Sequence, residues 1–224
     1  MSLRYLVMVG AAALALTACS KNEPSSDASH ASSTAKSADR AAVKEEGPRK
    51  VTPPQSEEKT IGVATTVLES LGDSGVKGTV SFTETERTKS DGSKKRSIVV
   101  SYNITGLTPG ETRGFHIHEH GDCTSEDGMS AGGHFNPKEH DHGDLESHDS
   151  HAGDLGNITA DDEGKAQGKI KNVTKITLDK KADTYFVGRS VIVHEQEDDL
   201  ESQPTGDAGG RVACGVIELQ PDRK

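Results

Sequence analysis

Residues 61–84 read IGVATTVLESLGDSGVKGTVSFTE, two runs rich in β-branched residues placed around a Gly-Asp-Ser-Gly turn at 72–75. Valine, isoleucine and threonine suit a pleated, half-buried surface, and a Gly-rich break between two such runs reads as antiparallel strands folded back on each other. The pattern continues along the chain. SDGSK (90–94) separates the second run from RSIVVSYNITGL (96–107), and GFHIHEH (114–120), KITL (175–178), SVIVHE (190–195) and RVACGVIEL (211–219) follow. No window sustains an apolar period of 3.6 residues, so helices are not expected. Short strands joined by turns predict an all-β antiparallel sandwich or barrel. The exception is Gly121 to Gly156, a long stretch without strand character. A loop of that length in a compact domain is functional or disordered, and its Gly, Asp and His content predicts ordering by metal.

Composition agrees. The chain has 224 residues, 31% of them hydrophobic, with 24 glycines and no tryptophan. That favours a Gly-rich β domain with a polar extension over a Leu-rich helical protein. The formal net charge of −10 argues against nucleic acid as a partner, whereas ten histidines in an acidic chain suit divalent metals.

The N-terminus reads as a leader. A basic start, MSLR, precedes the 12-residue apolar run YLVMVGAAALAL, which is too short to span a bilayer as a helix. LTAC (16–19) resembles the bacterial lipobox, whose cysteine receives lipid and becomes the mature N-terminus; plain cleavage after Ala15 or Ala18 is the alternative. Residues 1–18 are thus expected as a lipoprotein signal peptide and Cys19 as the lipidated residue, placing the protein at the bacterial cell envelope, membrane-anchored and facing the periplasm or exterior. The chain has three cysteines, so lipid on Cys19 leaves Cys123 and Cys214 as an even pair for one disulfide in an oxidising compartment. Residues 19–59 are rich in Ser, Ala and charge and predict a flexible tether. From 60 to 224, 18 basic side chains face 29 acidic ones, so this expected domain is more acidic than the whole.

The histidines carry the chemistry. His116 and His118 are two apart on a strand, so both leave the same face about 7 Å apart. His194 ends the run VIV at a strand rim. A lone histidine in such a place is more often structural; three of them beside a loop holding five more are not a coincidence of composition. Imidazole suits zinc, copper, iron or nickel, and the ligands outnumber the needs of one tetrahedral ion.

GFHIHEHGD, GGHFNP, HAGDLGN, VIVHEQEDDL and GDAGGRVACGVI together closely resemble the copper/zinc superoxide dismutase family, in order and at compatible spacing from about Gly62 to Leu219. The resemblance implies a Greek-key β-sandwich or barrel and dismutation of superoxide anion to oxygen and hydrogen peroxide. It implies copper on His116, His118, His134 and His194, and zinc on His134, His142, His151 and Asp154, with His134 shared. Asp198 matches the carboxylate that links His116 to His142, and Arg211 the guanidinium that attracts the anion. Spacing from HFNP selects His142 rather than His140; His120, His140 and His148 are left as solvated polar residues, with a weak secondary metal site as the sharper alternative.

Two features depart from the eukaryotic pattern. Cys123 directly follows HGD, as in bacterial secreted members; its pairing with Cys214 is what the resemblance implies. ESQPTGDAGG (201–210) is shorter than the family's charged loop and has no lysine, leaving Arg211 as the main local positive charge. A non-catalytic metal-binding protein of the same fold is the alternative function, disfavoured because all four copper positions and Arg211 are present. A zinc hydrolase would need an open zinc. Family members pair through different surfaces, so a homodimer is compatible with the sequence without being located by it.

Overall fold

The computed structural model describes residues 58–221, and the leader, Cys19 and all of the tether except its last two residues lie outside them. The described chain forms β1 (Glu58–Ser70), β2 (Lys77–Thr88), β3 (Lys94–Thr105), β4 (Thr112–His118), a 3-10 turn (Met129–Ala131), β5 (Asp154–Thr159), β6 (Ala166–Val173), β7 (Ser190–His194), β8 (Arg211–Val216) and the short β9 (Glu218–Leu219). The strand order is β5-β4-β7-β8-β1-β2-β3-β6, with β9 on β1, and every pairing between these strands is antiparallel. This is a nearly closed eight-strand barrel without an α-helix among the described residues.

Alternation builds the barrel. On β1, β2 and β3 the residues Ala64, Leu68, Val80, Phe82, Ile98, Val100 and Ile104 are buried, and the registers Ala64↔Phe82 and Phe82↔Val100 put them on one face. Phe82 packs on Phe186 at 4.9 Å between ring centres. β1 starts at Glu58, two residues before the expected domain boundary.

β4 and β7 differ, for both of their faces are covered. Phe115 and Ile117 point into the core opposite Val193 and Val191, while His116 and His118 lie opposite Ile192 and Ser190 on the outer face. All five residues from Gly114 to His118 are buried. The metal-type side chains therefore sit outside the barrel wall, beneath the loops that follow β4 and β7.

Three expectations need correction. KITL is not a strand: Ile176 plugs the core, while Thr177 Oγ1 and the Leu178 N–H donate to the buried Glu84 carboxylate at 2.7 and 3.1 Å. That side chain takes hydrogen bonds a ladder would otherwise use. The strand beside β3 is instead AQGKIKNV (166–173), whose alternation is hidden by a bulge where Asn172 adopts φ 61°. Finally, the stretch 121–156 ends inside β5, since DLGNIT begins its strand at Asp154.

Cys123 and Cys214 form a disulfide across 91 residues of sequence, with Cα atoms 5.7 Å apart. It ties the loop after β4 to β8, beside the small apolar cluster of Leu71, Ala131, Ile192 and Cys214. Cross-links closing loops of this size stabilise by about 2–5 kcal/mol, chiefly through the unfolded chain. Reducing the disulfide, or replacing both cysteines by serine, is expected to lower the unfolding free energy by that amount, seen as an earlier denaturant midpoint with the strand content retained, as measured by circular dichroism.

Candidate metal centre

Four imidazoles converge on the outer face of β4. His116 and His118 come from β4, His194 from the end of β7, and His134 from the long loop, where a single bridge pairs it with His118. All are buried, and each offers a ring nitrogen within 4.8 Å of the others. Ring centres of His116 and His134 are 4.0 Å apart, and those of His116 and His194 are 4.9 Å apart. His118 Nδ1 donates to the Gly132 carbonyl at 2.9 Å, which leaves Nε2 as a bare acceptor 3.3 Å from His194 Nε2. His116 Nδ1 and His134 Nε2 are buried with no protein partner. Unsatisfied buried nitrogens each cost about 1–3 kcal/mol. A cation bound among them would satisfy all four at once.

The second group uses the other side of the same ring. His134 Nδ1 lies 2.8 Å from Asp154 Oδ1, His142 Nδ1 lies 3.0 Å from that oxygen, and His151 Nδ1 lies 3.3 Å away without hydrogen-bond geometry. Asp154 Oδ2 is occupied elsewhere, accepting from the backbone N–H of Gly143 at 3.1 Å and of His151 at 3.0 Å. One oxygen and three nitrogens are thus left facing each other. Three imidazoles and a carboxylate form a closed tetrahedral set of the kind that suits structural zinc, whereas four imidazoles suit copper as well.

Asp198 joins the two groups from behind. Its Oδ2 accepts from His116 Nε2 at 2.7 Å and its Oδ1 from His142 Nε2 at 2.9 Å. Holding the far nitrogens protonated turns the near ones, His116 Nδ1 and His142 Nδ1, into ligand atoms. Asn157 fixes Asp198 in turn, for its amide accepts from the Asp198 N–H at 2.9 Å and donates to the Asp198 carbonyl at 2.8 Å.

Charge follows from these contacts. Burial, with neighbouring imidazoles, pushes His134 down to about 4 and His194 to about 2, and moves His116 and His118 in the same direction. These rings are neutral at pH 7, as ligands must be. Burial also opposes charge on His142, but the Asp154 and Asp198 carboxylates outweigh it and raise this ring to about 9. Burial would raise Asp154 and Asp198, yet their histidine hydrogen bonds hold both below the usual carboxylate range.

Arg211 opens β8 directly opposite His194. Its guanidinium is half-buried and donates to the Gly128 carbonyl at 2.5 Å and the Gly132 carbonyl at 2.6 Å. Gly132 therefore receives both His118 and Arg211 on one oxygen. His120, His140 and His148 join neither group. His120 is exposed, 3.3 Å from Glu119 Oε1, and His148 is fully exposed beside Asp149. The His140 backbone is gripped by the Asn136 amide at 2.8 and 3.0 Å, and its ring points to the Ser150 carbonyl. Sequence reading passed over Asn136, Asn157 and Gln203, the last of which grips the His142 peptide. Asn136 and Asn157 stand inside HFNP and GDLGN, where a polar residue flanking a ligand was a usable signal; nothing marks Gln203.

The chain matches the family described as "Copper/zinc superoxide dismutase (SODC)" over residues 76–217. It is 44% identical over 155 residues to superoxide dismutase [Cu-Zn] of Yarrowia lipolytica, covering 66% of this chain and 93% of the relative. The Saccharomyces cerevisiae enzyme of the same name is 43% identical over 154 residues, again covering 66% and 93%. Superoxide dismutase [Cu-Zn] A of Xenopus laevis is 44% identical over 164 residues, covering 70% and 98%. Among solved structures, the crystal structure of the clock protein EA4 aligns with a TM-score of 0.59 at 35% identity, covering 72% of this chain and 97% of that one. With its barrel, its two buried ligand groups and this extent of identity, the chain belongs to the copper/zinc superoxide dismutase family.

Proposed function

We propose that the protein is a membrane-anchored superoxide dismutase of the cell envelope, with copper on His116, His118, His134 and His194 and zinc on His134, His142, His151 and Asp154. Dismutation itself follows from the family: two superoxide anions and two protons give one oxygen and one hydrogen peroxide. The observation that carries the site assignment is the His134 ring, which offers one nitrogen to each buried group. Copper would supply a one-electron acceptor and donor there, and zinc, which has no redox chemistry, a fixed charge.

The chain's own residues do the rest. Asp198 orients His116 and His142 from behind, and the Gly132 carbonyl does the same for His118. His134 Nε2 is the atom able to take up a proton and return it toward the product. Arg211, on the strand beside His194, binds and positions the anion. Its two carbonyl contacts aim the guanidinium without neutralising it.

The envelope reading rests on LTAC and on the cysteines. With Cys123 and Cys214 bonded to each other, Cys19 is the one cysteine left for lipid, and a disulfide suits an oxidising compartment. Residues 1–18 then serve as signal peptide and 19–59 as tether, leaving the enzyme domain to begin near residue 60. The three relatives named above are eukaryotic, so the bacterial lipoprotein form stands on the sequence itself. A homodimer of the domain belongs to the same proposal.

Four measurements bear on this reading. Metal analysis of His134→Ala should find both copper and zinc reduced, His142→Ala should lose zinc, and His140→Ala should keep it; zinc loss from His140→Ala alone would overturn the loop assignment. Arg211→Glu, with copper and zinc intact, is expected to lower activity severalfold or more. The wild-type rate should also vary with ionic strength in a way that Arg211→Ala alters, because focusing of a small anion by local charge is worth about 10 to 10³-fold in encounter. For the anchor, mass spectrometry of membrane-extracted protein should find lipid on Cys19, and a free thiol there would remove the lipoprotein reading.

A further inference from the structure

The segment 199–210 contains Asp199, Glu201 and Asp207 and no basic residue. It offers no positive field to an anion, yet it lies against the metal centre at two points. The first is Gln203. Its side-chain Oε1 accepts from the His142 backbone N–H at 2.7 Å, and its Nε2 donates to the His142 carbonyl at 2.9 Å. One amide thus holds both polar groups of the residue whose ring faces Asp154. The second is Gly206, at φ 69°, packed so closely that a side chain there would land on the Asp198 carboxylate and 2.6 Å from His142 Nε2.

The segment is braced to deliver these contacts. The Asp199 N–H donates to the Gly206 carbonyl at 2.9 Å, the Gly206 N–H to the Ser202 carbonyl at 2.7 Å, and the Ser202 N–H to Asp199 Oδ1 at 2.8 Å. Gln203 stands inside this closed turn, and its Nε2 also donates to the Glu201 carbonyl at 3.1 Å. The backbones of His140 and Asp198 are gripped in the same two-bond manner by Asn136 and Asn157. Asn157 also reaches its partner across 41 residues, but only Gln203, 61 residues away, grips a member of a ligand group, His142, whereas His140 and Asp198 belong to neither group.

We propose that Gln203 is a positioning residue for zinc: its amide fixes the His142 peptide and hence the aim of His142 Nδ1, so the short loop works as a clasp on the zinc group. The clasp acts on the ligand and touches no substrate. It rests on the reading of His134, His142, His151 and Asp154 as that group.

The test uses the full-length, copper- and zinc-loaded protein and follows zinc release to the chromogenic chelator 4-(2-pyridylazo)resorcinol. Loss of contacts that orient a metal ligand costs about 10- to 100-fold in metal affinity. Gln203→Ala should release zinc faster by that factor. Gln203→Glu matches the wild-type side chain in size but turns an acceptor-only oxygen toward the His142 and Glu201 carbonyls, so it too should release zinc faster than wild type. Glu201→Gln should release zinc at the wild-type rate. Cobalt(II) bound in place of zinc should give an altered visible band in Gln203→Ala, reporting a displaced ligand. Wild-type release by both Gln203 variants, or equal acceleration by Glu201→Gln, would overturn the clasp. If His142→Ala bound zinc as tightly as wild type, the fault would lie in the assignment of the zinc group itself.

Discussion

The imidazole of His134 is the constraint around which this domain is arranged. One ring must present Nε2 to His116, His118 and His194, and Nδ1 to His142, His151 and Asp154, so the two buried groups cannot be placed independently. A shift of the loop that carries it would disturb both at once. Its position is accordingly fixed on each side: the single bridge to His118 sets its backbone, and paired Phe135–Ile117 and Phe135–Gly153 hydrogen bonds anchor the next residue. Phe135 itself is buried in the main core. The loop is thus attached to the barrel at the point where its geometry matters most.

A second constraint is electrostatic. Five histidines that touch the shared ring or its partners are buried together with two carboxylates. Burial pushes His116, His118, His134 and His194 down, whereas Asp154 and Asp198 hold His142 up. Such an arrangement stores unsatisfied nitrogens that a bound cation would satisfy together, so metal binding and loop order are linked in free energy. The barrel core of Phe82, Phe115 and Phe186 is built from the opposite faces of the strands and does not share this dependence.

Much of this was legible in the sequence, for stated reasons. Runs rich in β-branched residues at 61–70, 75–84 and 96–107, divided by Gly-containing turns, announced β1 to β3. FHIH announced both a strand and a paired ligand because side chains two apart share a face. Strand β6 was missed because Gln167, Lys169, Lys171 and Asn172 outnumber Ala166, Ile170 and Val173 and the bulge breaks the period. KITL misled because its apolar residues are held through Glu84, a side chain 90 or more residues earlier. The choice of His142 over the neighbouring His140 came from family spacing; local composition treats the two alike. Gln203 lay beyond reach, since a glutamine in a turn carries no mark of the peptide it will grip.

The two covered faces of β4 have a consequence for how variation in this protein would be tolerated. Along Phe115, His116, Ile117 and His118 the demands alternate at every residue between shape and chemistry. A polar replacement at Phe115 or Ile117 would be removed by selection because less folded enzyme accumulates. An apolar replacement at His116 or His118 would leave abundant protein that does nothing. Abundance and specific activity, scored separately across these four neighbours, would therefore trace two interleaved landscapes on a single strand.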